Sequence, residues 1–200
     1  MLFRSNIIRN EIHARLRIAT VDRHAMALSW VEHQKERVAL IASRTRLRQL
    51  VESHRDGTIS LEKLRADATT ILLDAQQSTE GFLHISFTDA DGRTLLSTNE
   101  AFLDRDISPR LAYWRGLSEQ FLAEPETGRA DLTADLSAPA LDKNGDLLGV
   151  VLVQVDFAEL QEIFAGIRGL DETGEILVGT LDGDSVRYLF PPRKIGRAHV

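Results

Sequence analysis

Residues 147–155 read LLGVVLVQV and are the most apolar run in the chain. The run is rich in valine, and its length is typical of a strand that is buried on both faces. The segment before it, Lys143-Asn144-Gly145-Asp146, is a hairpin turn signal. Asp156 follows the run and is interpreted as the N-cap of a helix that extends to about residue 165. We therefore expect a central strand of an antiparallel sheet, followed by a helix.

A second strand signal lies upstream, at residues 82–87. Apolar and polar side chains alternate there, so that Leu83, Ile85 and Phe87 share one face and Phe82, His84 and Ser86 the other. Residues 89–92, DADG, form a strong turn signal, and residues 94–98 follow as the returning strand. Residues 81–156 thus predict an antiparallel sheet domain.

Helical patterns flank this domain. Residues 1–56 contain neither glycine nor proline and place apolar residues at helical spacing, which predicts one helix about 80 Å long. Part of it is expected to project as a stalk, and residues 38–51 are expected to pack along the domain. Gly57 ends this helix, and Ser60 is expected to cap a second helix over residues 61–77. Ser108 and Pro109 predict the start of a third helix that runs to about residue 123, because Pro125 prevents its continuation.

The last segments of the chain predict shorter strands. Residues 130–136 and 137–141 are interpreted as two short strands or as one strand broken near Pro139. Gly166 and Gly169 mark a boundary, beyond which residues 175–180 and 186–190 form a hairpin around the turn at 182–184. The predicted fold class is α+β, with a long N-terminal helix, an antiparallel sheet with flanking helices, and the start of a second module.

Composition limits the possible functions. The 200-residue chain has a formal net charge of −6, but residues 1–56 carry 11 Lys or Arg and 6 Asp or Glu, so the remainder is strongly acidic. The acidic remainder argues against nucleic-acid binding. The sequence has no cysteine, which excludes disulfides and thiolate metal sites. No apolar run approaches the roughly 18 residues of a membrane span.

No pattern in the sequence indicates a catalytic or metal-binding site. The six histidines form no i, i+3 or i, i+4 pair that would grip zinc, and no phosphate-binding glycine loop or nucleophile elbow is present. The prediction is therefore a protein that is not an enzyme and that holds no cofactor or metal.

Polar and aromatic residues cluster where a small-molecule pocket could form. Such pockets combine aromatic walls with a few polar groups. Tyr113 and Trp114 are adjacent on a helix, so one of them is expected in the core. Asp156 is also explained as an N-cap, and Arg115 as a partner of surface acids. The candidate ligand-binding residues are Ser97, Asn99, Arg110, Tyr113, Trp114, Arg115, Asp131 and Asp156.

The chain resembles the extracytoplasmic Cache sensor domains of bacterial transmembrane receptors. The resemblance lies in the order of five segments: residues 36–44 (ERVALIASR), 87–92 (FTDADG), 137–140 (SAPA), 148–150 (LGV) and 169–175 (GLDETGE). It implies a PAS-like sheet behind a long helix, in a receptor whose output domain is a histidine kinase, a diguanylate cyclase or a chemotaxis signalling domain. The Arg110–Trp114 segment and Asp156 loosely echo the amino-acid-binding signature of this family, with a different spacing.

The resemblance also implies a domain organisation. Residues 1–56 would be the signalling helix, 57–166 the membrane-distal module and 167–193 a truncated start of the membrane-proximal module. Residues 194–200 resemble the translation of a sequencing adapter and are interpreted as a non-native tail, and Met1 as an internal start. The expected protein is a periplasmic small-molecule sensor that dimerises through its N-terminal helix and is anchored by membrane segments outside this chain. The alternative is a cytoplasmic PAS-like dimerisation module without a ligand.

Overall fold

The computed structural model describes residues 2–125, 132–165 and 177–190. The chain divides into two compact units. One consists of residues 31–157, and the other combines the chain before residue 31 with the chain after residue 157. The candidate residues lie in the first unit.

The unit of residues 31–157 is built on a five-stranded antiparallel sheet with the order β2-β1-β5-β4-β3. The strands are β1 (Phe82–Thr88), β2 (Thr94–Ser97), β3 (Phe121–Leu122), β4 (Thr133–Leu141) and β5 (Leu147–Asp156). The apolar run at residues 147–155 occupies the centre, between β1 and β4, as the sequence predicts. Its position explains its composition, since a central strand is covered on both faces.

One face of this sheet is almost entirely apolar and is called the helix face. Ile85, Phe87, Val151 and Val153 lie on it and are fully buried. The helices α2 (Thr45–Arg55) and α3 (Leu61–Gln77) cover it, with α3 against β1 and β2 and α2 against β5. The predicted bounds of α3 are confirmed, and the Ser60 side chain accepts a hydrogen bond from the Lys63 backbone N–H as the expected N-cap.

The single helix predicted over residues 1–56 is wrong in one respect. The structure has two helices, α1 (Leu2–Ala42) and α2, separated at Ser43 and Arg44. The Arg44 guanidinium donates to the Ile71 carbonyl of α3 at 3.0 Å, and this bond fixes the break to the domain. Val38 and Ile41 of α1 are buried, as are Leu47, Leu50 and Val51 of α2. The break therefore lets both helices bury their apolar residues.

The helix predicted over residues 109–123 is also shorter than expected. α4 spans only Leu111–Gly116, and β3 follows. Ser108 is not its N-cap, since Arg110 precedes the helix and the Ser108 N–H donates to the Asp106 carboxylate. α4 ends where Gly116 meets the sheet: a Cβ there would stand 2.6 Å from Val150 Cγ1.

Two strands differ from their predicted patterns. β4 is one continuous strand through Pro139, because β3 pairs only with Leu136 and Ser137 and the proline lies beyond that pairing. In β1, the register shifts between Phe82 and His84, and Leu83 is exposed at this irregularity instead of facing the core.

The second unit contains the first part of α1, the helix α5 (Ala158–Ala165) and a hairpin of β6 (Gly179–Asp182) and β7 (Ser185–Tyr188). The Trp30 indole N–H donates to a Glu159 carboxylate oxygen at 2.8 Å, which ties α1 to α5. The predicted hairpin exists, but its strands lie closer to the turn than expected, and residues 175–176 and 194–200 lie outside the described residues. The domain boundaries at 56, 166 and 193 stay predictions. No described helix combines the length and apolar character that crossing a membrane requires.

Candidate functional site

The opposite face of the central sheet carries a row of polar side chains and is called the site face. His84 of β1 lies opposite Gln154 of β5, and Gln154 lies opposite Asp135 of β4. Directly opposed residues of antiparallel strands project to the same side. The three side chains therefore form a row across three strands.

Arg110 joins this row from the segment just before α4. Its guanidinium donates to the Asp135 carboxylate at 2.7 Å, in an ion pair where the aspartate side chain is 16% exposed and the arginine side chain 42%. Asp135 is the only side-chain partner of Arg110 among the described residues. Because a guanidinium carries five N–H donors, Arg110 retains donors for a further anionic group.

His84 closes one end of the row. It is buried, and its ring stacks on Phe102 of the short 3-10 helix Glu100–Phe102, with 4.2 Å between the ring centroids. Burial lowers the pKa of His84 below its ordinary value, and the Arg110 charge lowers it further, against the opposing effects of Asp135 and Gln154. The imidazole is therefore neutral at pH 7 and offers one donor and one acceptor.

The next pair along the strands extends the polar region. Thr133 lies opposite Asp156, two residues from Asp135 and Gln154, and so projects to the same face. The Thr133 hydroxyl is buried with no hydrogen-bond partner among the described residues. A buried hydroxyl without a hydrogen-bond partner destabilises the folded state, and a bound polar molecule would supply the missing partner. The polar patch is defined as His84, Arg110, Thr133, Asp135, Gln154 and Asp156.

The rest of the site face combines apolar side chains with serine hydroxyls, and α4 packs against it over β4 and β5. Tyr113 is buried with Ile107, Ala112, Val150 and Leu152. The Tyr113 hydroxyl donates to the Ala90 carbonyl at 2.6 Å, and the Ser137 hydroxyl donates to the Ala112 carbonyl at 2.7 Å. Tyr113 is thus the residue of the Tyr113–Trp114 pair that lies in the core, and it fixes α4 to the turn after β1.

Two further sequence candidates have structural partners. The buried Ser97 hydroxyl is 3.0 Å from the Ser86 hydroxyl on β1. The Asn99 side chain accepts from the Ala101 N–H and caps the 3-10 helix that carries Phe102. Asn99 therefore positions the ring that stacks on His84.

Trp114 and Arg115 lie apart from the row. Trp114 is exposed and contacts the Tyr113 ring edge-on. Arg115 pairs with Glu119 and lies over the Phe121 ring. Asp131 lies outside the described residues. Asp156 is the last residue of β5, next to Gly81, whose carbonyl accepts from the Asp156 N–H. The predicted helix starts only at Ala158.

Among the eight candidates, Arg110 and Asp156 belong to the polar patch. His84, Thr133, Asp135 and Gln154 are not among the predicted site residues. The signal for His84 and Gln154 was present, because each is a polar residue between two apolar ones in a buried strand. The described part of the chain contains no cluster of three or more His, Asp or Glu suited to a metal ion.

Comparisons with known proteins place this geometry in context. No family model matches the sequence, and no curated protein is significantly similar to it. Solved structures do match. The DctB histidine kinase sensor domain of V. cholerae superposes with a TM-score of 0.52 at 15% identity, over 82% of this chain and 61% of that one. The DcuS sensor domain of E. coli gives 0.55 at 13% identity, over 70% of this chain and 99% of that one.

A chemoreceptor structure matches as well. The ligand-binding domain of Pseudomonas aeruginosa PctB, solved in complex with L-Arg, gives a TM-score of 0.53 at 23% identity over 84% of this chain and 65% of that one. The chain has the fold of a Cache-type sensor domain. It spans about three fifths of the DctB sensor domain. In this Cache fold, the polar patch occupies the sheet face opposite α2 and α3.

Proposed function

We propose that the chain is the extracytoplasmic input domain of a membrane-bound signal-transduction receptor and that it binds a small molecule at the polar patch. The single observation that carries the proposal is the Arg110–Asp135 pair beside the buried, unpartnered Thr133 hydroxyl. The match to sensor domains of a histidine kinase and a chemoreceptor supports the same function.

The charges of the polar patch indicate the class of ligand. Arg110 supplies a cation with unused donors, and Asp135 and Asp156 supply carboxylates. Neutral His84 and Gln154 add uncharged donors and acceptors between them. This arrangement suits a molecule that carries both a carboxylate and an ammonium group, as an α-amino acid does. PctB, which holds L-Arg, offers a precedent in the same fold.

The helix α1 offers a route for the signal and a surface for a second copy of the chain. Ile18, Val21, Ala25 and Leu28 are exposed and follow a 3-4-3 spacing, which is the seam of a two-stranded coiled coil. We therefore propose a homodimer through this seam. The matched pair of variants is Val21→Glu, on the seam, and Asp22→Lys, beside it. Light scattering should show a monomer for Val21→Glu and a dimer for Asp22→Lys.

The ligand proposal is tested by a thermal-shift screen with single L-amino acids, dicarboxylates and amines. A ligand at 100 times its Kd stabilises the folded state by about 2.7 kcal/mol, which is readily seen as a rise in Tm. We expect at least one amino acid to raise the Tm of the wild type and of Arg115→Gln but not of Arg110→Gln. If no compound raises the Tm, or if Arg110→Gln responds as the wild type does, the polar patch is not the binding site.

The location outside the cytoplasm is tested with the complete protein in cells. These 200 residues contain no cysteine, so Leu83→Cys at an exposed position adds one label site, and the complete protein without this substitution is the control for labelling elsewhere. A membrane-impermeant maleimide should label intact cells. Labelling only after lysis would favour the cytoplasmic PAS-like module without a ligand.

A further inference from the structure

A cleft lies on the unit of residues 31–157, at the break between α1 and α2. It has a volume of about 310 Å³ and is lined by the end of α1, by Arg48 of α2, by Ala138, Pro139 and Leu141 of β4 and by residues 118–120. None of the residues of the polar patch lines it. Its volume is at the lower end of the roughly 300–1,000 Å³ that small-molecule sites occupy.

The walls of this cleft are mainly apolar. Ala39 and Ala42 of α1 face Ala138, Pro139 and Leu141 of β4 across it. This part of β4 lies beyond the pairing with β3, which reaches only Leu136 and Ser137. The cleft therefore exists because β3 is short and because small side chains line α1 at this level.

Arg48 is the cationic group of the cleft. One of its terminal nitrogens donates to the Leu141 carbonyl at 3.3 Å, and its Nε is buried without a hydrogen-bond partner. No carboxylate of the described chain pairs with Arg48, whereas Arg55, Arg65 and Arg110 each pair with an aspartate. A buried guanidinium N–H without an acceptor has a strong preference for an anionic oxygen.

A carboxylate also lines the cleft, but its charge is balanced. Glu119 pairs with Arg115 four residues earlier on the chain. The remaining polar lining groups are uncharged serine and glutamine side chains. The net electrostatic character of the cleft is therefore set by Arg48 and favours an anion.

We propose that this cleft is a second ligand site, for a small monocarboxylate with an apolar tail. The carboxylate would accept hydrogen bonds from Arg48, and the tail would lie between the alanines of α1 and the Pro139–Leu141 edge of β4. Because Ser43 at the helix break also lines the cleft, a bound molecule would contact α1, α2 and the sheet together. Occupancy would thus stiffen the junction through which α1 joins the sheet domain.

The test uses hexanoate as the probe and the full chain as the protein. Titration calorimetry should show saturable binding of hexanoate, and hexanol should bind more weakly because it lacks the charge. Arg48→Gln, which keeps a donor for the Leu141 carbonyl, should weaken hexanoate binding by about tenfold or more. Arg46→Gln is the matched control, since Arg46 is exposed on the same helix and does not line the cleft.

Two further variants separate this cleft from the polar patch and from a folding defect. Ala39→Leu fills the cleft with a good helix former and should also reduce hexanoate binding, while Arg110→Gln should leave it unchanged. The proposal is overturned if hexanoate does not bind saturably, if Arg48→Gln binds it as well as Arg46→Gln does, or if Arg110→Gln alone abolishes binding. These outcomes test the cleft alone, because none of them depends on whether the polar patch binds an amino acid.

Discussion

The two faces of the central sheet are made by the same strands but differ in chemistry. On the helix face, Ile85, Phe87 and Val153 are fully buried and packed under α2 and α3. On the site face, the neighbouring residues of the same strands include His84 and Gln154, which lie in a row with Asp135. The helix face gives the domain its stability, and the site face carries the proposed ligand site.

This division has a physical cause in the period of the strand. Because successive side chains point to opposite faces, one strand supplies a core residue and a site residue by turns. Polar groups on a covered face cost free energy unless they are paired. On the site face, Arg110 pairs with Asp135 and His84 is hydrogen-bonded to Gln154, and both contacts offset that free energy. The Thr133 hydroxyl stays without a partner among the described residues.

The largest expected effect follows from damage to the helix face. Phe87 is fully buried in β1, so Phe87→Ala should lower the free energy of unfolding by about 3–5 kcal/mol, because it removes a large apolar side chain and leaves a cavity. Urea denaturation measures this change. A loss below about 1 kcal/mol would show that the helix face does not dominate stability.

A smaller loss is expected where α4 meets the site face. A Cβ at Gly116 would stand 2.6 Å from Val150 Cγ1 and 2.8 Å from the Ser137 hydroxyl. Gly116→Ala should therefore destabilise the protein by about 1–3 kcal/mol through overpacking. The comparison variant is Ser118→Ala, on the exposed segment after α4, which should change stability by less than about 0.5 kcal/mol. Equal effects of the two variants would contradict the close packing of α4.

The free energy of unfolding should fall with falling pH because of the buried His84 imidazole on the site face. Because the pKa of His84 is lowered in the folded state, the unfolded chain binds the proton more readily. The contribution of neutral His84 to the free energy of unfolding is therefore fully present above the unfolded pKa of about 6.5. It is lost as the pH falls towards the lowered pKa of the folded state. Denaturation at a series of pH values should show this slope in the wild type and a flatter one in His84→Gln. Identical slopes would contradict a buried, neutral His84.

The smallest effect is expected at the residue of β1 that belongs to neither face. Leu83 is 43% exposed at the register irregularity, and its carbonyl accepts a hydrogen bond from the Gln76 side chain. Leu83→Ala should change the free energy of unfolding by less than about 0.5 kcal/mol. A loss as large as that of Phe87→Ala would show that regular alternation, and not the irregularity, describes this strand.

The sequence predicts the parts of this fold that depend on local patterns. β5, α3 and the turns around Gly92 and Gly145 follow from apolar runs, a serine cap and Asp-Gly chemistry, and the structure confirms them. The break at Ser43 and Arg44 could not be predicted, because neither residue interrupts a helix by itself. It depends on the distant contact between Arg44 and Ile71.

The same limit applies to α4 and to the polar patch. The end of α4 at Gly116 and the pairing of β3 with β4 depend on contacts between segments far apart in the sequence. Arg110 was predicted from its neighbours on the chain, but its partner Asp135 lies 25 residues away. His84, Asp135 and Gln154 become one row only when the register of three strands is known.

The most direct test of the central claim is an NMR titration that follows the Arg Nε–Hε signals while a panel of L-amino acids is added. If the site face is a ligand-recognition surface, one amino acid should shift the Arg110 signal saturably and leave the Arg115 signal unchanged. The claim is contradicted if no amino acid moves the Arg110 signal, or if Arg110 and Arg115 shift together in proportion to ligand concentration without saturation.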